Sequence, residues 1–288
     1  MTQSNLRGVW WMVATVAAFA IQDGFSRLVA AEYNTLMVVA VRYWVFAAFV
    51  LGRALQRPEG FRAAVKTKRM PSHVFRAALL VAEICLMVQA YTLIGLIHAH
   101  AVFAVCPLLV VAMSGPLLGE RIGLARWLAV GVGFVGELII LQPGFGVFSA
   151  WALLPAFGAC LFALYAILTR HVSDRDASST SFFYTGMVGA AAMTLVGFFF
   201  WHPMTPGDWA WMAVLCVFSA AGHWCLIKAY SLAEAAAIQP FAYLQLVWIA
   251  ILGVTLFGEA LAPNVAIGAA LVVSAGLFTL WRQYTNTP

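Results

Sequence analysis

Four ionisable residues sit inside long apolar runs, Arg42, Glu83, Glu137 and His223, and they carry most of the chemistry this sequence offers. At a bilayer centre each would cost about 2.5 to 3.5 kcal/mol, so each needs a partner or water. Arg42 and Glu83 are the expected intramembrane ion pair, with Glu137 and Asp23 as competing partners for the guanidinium. Glu83 lies near the middle of its run and is the expected site carboxylate; Glu137, near the end of its own, reads as interfacial. Polar and aromatic side chains also recur at helical spacing: Ser219, His223 and Tyr230 on one run, Gln239 with Tyr243 and Gln245 with Trp248 on a later one. Such a lining suits a zwitterion with a large side chain. Glu83 and aromatic faces would take an ammonium, His223, Gln245 or a helix end a carboxylate, and Trp248, Tyr243 and Tyr91 an apolar body. A lipophilic cation would need only the acidic and aromatic parts.

The elements that position these groups follow from composition. Of 288 residues, 64% are apolar and only 9% charged, too little polar surface to coat a soluble globule, so the chain reads as an all-α polytopic membrane protein. A span needs about 20 apolar residues. Cutting at polar and Gly/Pro-rich joints predicts ten: 8–28, 34–55, 73–93, 98–118, 123–141, 148–169, 179–200, 208–229, 235–257 and 264–282. With the N-terminus inside, every Lys and Arg except Arg27 and Arg42 falls on the cytoplasmic side, which puts both termini in the cytoplasm. The net charge of +5 is thereby accounted for by loops facing lipid and cytoplasm, and nucleic acid is not an expected partner. The first run continues from Arg7 through Ile21 and reads as a retained span rather than a cleaved signal. The five cysteines all lie in apolar runs without a C-x-x-C pair, as small buried hydrophobes do.

The phrase that closes one run, GPLLGERIG at 115 to 123, returns as VTLFGEALA at 254 to 262. A shift of 139 lays Gly119-Glu120 on Gly258-Glu259 and AYTL (90 to 93) on AYSL (229 to 232). The earlier parts match less sharply, VWW (9 to 11) facing SAW (149 to 151) and Arg27 facing Arg170. The chain therefore reads as two five-span repeats, 1–145 and 146–288, and an odd number of spans makes the second copy inverted. Glu120 then faces the cytoplasm and Glu259 the exterior. Taken alone, each Gly-Glu is a helix stop followed by an acid that complements the positive end of the next helix. Inverted repeats rocking about a midplane site are the common plan of secondary transporters. The same shift pairs His100 with Gln239, expected as gating residues at opposite ends of one pathway.

The endings PLLGERI and TLFGEAL, the AVRYWVFA of the second span and the QPG after the fifth resemble the drug/metabolite transporter superfamily, in particular EamA-type, YddG-like aromatic amino acid exporters. The resemblance implies a central cavity lined by spans one to four and six to nine. It implies an inner-membrane secondary transporter exporting aromatic or other large hydrophobic amino acids, with drugs, lipophilic cations or another small metabolite as the alternative cargo. GVGFVG at 131 to 136 matches a dinucleotide fingerprint but lies within a span, where Gly131, Gly133 and Gly136 suit close helix packing. In HAH (98 to 100) and HWC (223 to 225) the i and i+2 side chains point about 200° apart, so neither binds one metal ion. No cofactor, metal, catalytic cluster or obligate protein partner is expected, and the absence of a pore-lining charge ring argues against a channel.

Overall fold

The computed structural model describes residues 3–56, 60–141 and 150–257, with scattered positions between 263 and 281. The regular elements of these residues are helical: α1 (Gln3–Glu32), α2 (Thr35–Leu55), α3 (Gly60–Val65), α4 (Met70–Ile94), α5 (Leu96–Phe103), α6 (Cys106–Leu118), α7 (Leu124–Leu141), α8 (Leu153–Ser173), α9 (Ser178–Gly197), α10 (Pro206–Leu232), α11 (Ala235–Ala242) and α12 (Leu244–Phe257). Six of them, α1, α2, α4, α8, α9 and α10, are long and apolar enough to cross a membrane, and shorter apolar helices accompany them. Large apolar side chains such as Leu195 (75% exposed) and Phe199 (81%) point outward, as a protein solvated by lipid requires. Most of the tenth expected span, and Glu259 with it, lies outside the described residues.

Two expected spans are not continuous. The fourth is divided at Ala104–Val105 into α5 and α6, and the ninth at Tyr243 into α11 and α12. Proline accounts for the first, since Pro107 at the start of α6 has no N–H for the carbonyl of Phe103, whereas Pro240 lies inside α11, three residues before the second break. The interruptions obey the sequence repeat, since α5 at 96–103 moved by 139 lands on α11 at 235–242, and the last residue of α6, 118, on that of α12, 257. Packing repeats too. α1 runs along α10 and α8 along α4, while α2 meets α9, so first-repeat helices are buried against second-repeat helices in exchanged pairs.

Local chemistry fixes the joints. Asn34 accepts the Met37 N–H at 2.8 Å to start α2, and its Nδ2 donates to the carbonyl of Phe200 at 2.7 Å. Gly119 closes α6 at φ 71°, a left-handed turn that glycine takes without a Cβ penalty. Glu120 does not serve α7, the helix that follows it. Its two oxygens accept the N–H groups of Ala235 and Ala236 at 2.8 and 3.0 Å, capping α11 of the other repeat. Arg76, expected in the cytoplasmic set, is fully buried: its guanidinium donates to Thr169 Oγ1, the Ser181 carbonyl and Thr185 Oγ1 at 3.2, 2.6 and 2.9 Å, tying α4 to α8 and α9. Of the proposed packing glycines, Gly133 lies against the Tyr243 ring, where a Cβ would collide, whereas Gly131 faces open space.

Candidate functional site

A cavity of about 90 Å³ lies between the repeats, reached by side chains from α1, α2, α4, α5, α6, α8, α10, α11 and α12. α9, the seventh expected span, contributes none of its lining. The two interrupted helices enter it at equivalent places, which brings His100 of α5 and Gln239 of α11 to the same chamber. Broken helices are tolerated at membrane depth where they line a cavity, and there they expose polar groups to a solute.

Asp23 is the polar hub. Gln22 Nε2 donates to its Oδ1 at 2.9 Å and Gln245 Nε2 to its Oδ2 at 2.8 Å. His100 Nε2 stands 3.3 Å from the same Oδ2, near enough for an ion pair when the imidazole is protonated but not aligned as a hydrogen bond. Tyr91 stacks on the His100 ring at 5.4 Å and 17°. On the far side, Gln239 Nε2 donates to Tyr230 Oη at 3.1 Å. His223 Nδ1 donates to the Ser219 carbonyl at 2.9 Å, which in the neutral ring leaves Nε2 as an acceptor.

Arg42 and Glu83 both line the chamber and both are buried, at 3% and 6% exposure. They do not form the expected ion pair: among the described residues neither makes a hydrogen bond or a salt bridge, with the other or with Asp23. A buried guanidinium and a buried carboxyl thus line the cavity without a described hydrogen-bond partner, and the Oε1 of Gln22 is likewise a buried acceptor without one. Phe19, Tyr91, Phe103, Phe162 and Tyr243 complete the walls, Phe103 meeting Phe162 edge-on at 5.8 Å. A flat solute could be sandwiched by such rings while its polar edge meets Arg42 and Glu83.

Glu83, Tyr91, His223, Tyr243 and Gln245 all line this cavity, with His100 and Gln239 beside them. Trp248 does not. It is 39% exposed and absent from the lining, because three residues beyond Gln245 a helix has turned about 60° off that face. The side chain of Glu137 lies outside the described set. Sequence reasoning ranked Asp23 only as a competitor for Arg42 and passed over Gln22, although two adjacent polar residues within the first expected span were a legible signal. The described residues contain no group of three or more His, Cys, Asp or Glu able to hold a metal ion.

A family model described as the EamA-like transporter family matches residues 6–142 and again 149–281. The riboflavin transporter of Vibrio cholerae serotype O1 is 28% identical over 283 residues, covering 96% of this chain and 94% of that protein. That of Brucella anthropi is 29% identical, with 96% and 99% covered. The S-adenosylmethionine uptake transporter of Rickettsia prowazekii is 26% identical over 284 residues, covering 98% and 95%. A solved crystal structure shares the fold, with a TM-score of 0.75 at 20% identity over 95% of this chain and 99% of that one.

Proposed function

The chain belongs to the EamA-like transporter family and is a multi-pass integral membrane protein of the plasma membrane, and on that premise we propose that it takes up a flat, nitrogen-rich heterocycle carrying a hydroxylated chain, a flavin first among them. Transport is secondary, by alternating access between two inverted five-span repeats, 1–145 and 146–288, with ten spans and both termini cytoplasmic. The exchanged packing of the two halves and the matched helix breaks support that architecture.

The observation that carries the substrate reading is a buried guanidinium and a buried carboxyl, neither hydrogen-bonded to a described residue, in an aromatic chamber. A fused heterocycle presents carbonyl acceptors and an N–H donor along one edge. Arg42 donates to the former and Glu83 accepts from the latter, while Tyr91, Phe103 and Phe162 cover the ring faces. Gln22 Oε1 is placed to accept from a hydroxyl. His100 and Gln239 act as the gating pair, their contacts with Asp23 and Tyr230 made in one state and broken in the other. Ligand pockets usually hold about 300 to 1,000 Å³, so a chamber of about 90 Å³ must widen to load, as a rocking mechanism provides.

Aromatic amino acid export is the second reading. A zwitterion would also bridge Arg42 and Glu83, but the named relatives carry riboflavin or S-adenosylmethionine. Liposomes holding the purified protein separate the two. Riboflavin, S-adenosylmethionine, tryptophan and a lipophilic cation are offered in turn, with saturable uptake and counterflow as readouts. Riboflavin uptake is expected, reduced more than tenfold by Arg42→Gln and by Glu83→Gln, each of which removes a charged hydrogen bond to the substrate. Transport of tryptophan with none of riboflavin would overturn the first reading in favour of the second.

A further inference from the structure

A second hollow of about 430 Å³ lies on the outer surface between α2, α9 and α10, separate from the chamber between the repeats. Its walls are apolar, with Phe49, Phe182, Val217 and Trp224 among them, and Arg53 is the one charged residue among the described residues of its lining. Phe49 (51% exposed) and Val217 (63%) leave it open sideways, toward the lipid a membrane protein would meet there.

Depth and charge decide what fits. The groove begins at Val45 and reaches Arg53 in the last turn of α2, eight residues and so about 12 Å along the helix. That is close to half of a hydrocarbon core about 30 Å thick. Arg53 is exposed and makes no hydrogen bond or ion pair with a described residue. One helical turn past Trp224, Lys228 sets its ammonium 4.9 Å from the centre of that ring, at the same end of the groove. Two cations therefore stand at the interfacial end of an apolar trough one leaflet deep, with no carboxylate among the described residues of its lining.

We propose that this groove is a binding site for an acidic phospholipid of the cytoplasmic leaflet, an acyl chain lying along Phe49, Phe182 and Val217 and the phosphate held by Arg53 and Lys228. Juxtamembrane cations attract acidic headgroups in this way, and the apolar trough adds what a free anion cannot use. The site borders the transport chamber. Phe182 meets Trp224 at 5.2 Å on one side and Phe46 at 4.6 Å on the other, and Phe46 lies 6.1 Å from the cavity residue His223. An acyl chain in the groove braces those rings, so its removal should alter transport as well as lipid retention.

The full-length protein, purified in mild detergent and offered phosphatidylglycerol or phosphatidylcholine of the same chain length, tests this by native mass spectrometry. Wild type should retain one phosphatidylglycerol in clear preference to phosphatidylcholine. Arg53→Gln and Lys228→Gln should each lower that preference about fivefold, the worth of one interfacial cation. Ala220→Trp, which fills the groove without touching a charge, should abolish retention of either lipid, and soluble glycerol phosphate should not compete. Equal retention of both lipids by wild type, or an undiminished preference in both charge variants, would overturn the proposal. If Ala220→Trp fails to fold, the two charge variants still decide it, since Arg53 is exposed without a described partner and the Lys228 ammonium touches the Trp224 ring. Retention is read without any transport, so the outcome stands apart from the identity of the substrate.

Discussion

Glu120→Gln should loosen the closure between the repeats on the face where α6 ends and α11 begins. The Glu120 side chain is 7% exposed, and its oxygens accept the Ala235 and Ala236 N–H groups at 2.8 and 3.0 Å, where the positive end of α11 is concentrated. Arg170 Nε, 3.8 Å away and 24% exposed, adds little, and so does the 2.6 Å pair of Arg126 with the more open Glu234. Glutamine keeps one neutral acceptor and loses the charge, which costs about 2 kcal/mol of the clasp. That corresponds to about a thirtyfold shift toward the state in which this face is open. Cys106, whose side chain lines the chamber, is a native reporter once the other four cysteines are replaced by serine or alanine. Its alkylation by a maleimide should accelerate about thirtyfold in Glu120→Gln, with thermal stability measured alongside to separate opening from unfolding. An unchanged rate would show that the cap holds nothing shut, and the contact would then be a fold stabiliser alone.

Cysteines at Lys68 and Arg121 should react with an impermeant thiol reagent only from the cytoplasm and one at Gly144 only from outside; labelling of Arg121 and Gly144 from the same face would sink the inverted topology. Gly133→Ala should cost about 1 to 3 kcal/mol by driving a methyl into the Tyr243 ring, while Gly131→Ala, facing open space, should be neutral in the same thermal melt. Arg76→Met should destabilise the protein by more than either, because Thr169, Thr185 and the Ser181 carbonyl lose a charged donor in a fully buried place; a stability equal to wild type would contradict the assigned clamp.

Composition and periodicity determined the membrane, the helices and the repeat, because each is a property of many residues summed. The shift of 139 read from Gly119-Glu120 and Gly258-Glu259 reappears in the bounds of α5 and α11, so duplication was legible before any coordinate was known. Glu83, Tyr91, His223 and Gln245 were likewise legible as cavity residues, since a polar group deep in an apolar run has few other places to go. Pairing was decided elsewhere. Whether Arg42 meets Glu83 depends on where α2 and α4 lie and on how each side chain rotates, and no spacing along the chain encodes that; Asp23, with Gln22, Gln245 and His100 around it, became the hub instead. Glu120 shows the same limit most clearly, for its neighbours in sequence make it a cap for α7, and only the approach of the two halves delivers it to the open N–H groups of α11, 115 residues away at Ala235. Local propensity selects each element and the face it buries, but a charged group finds its partner across the interface those faces create.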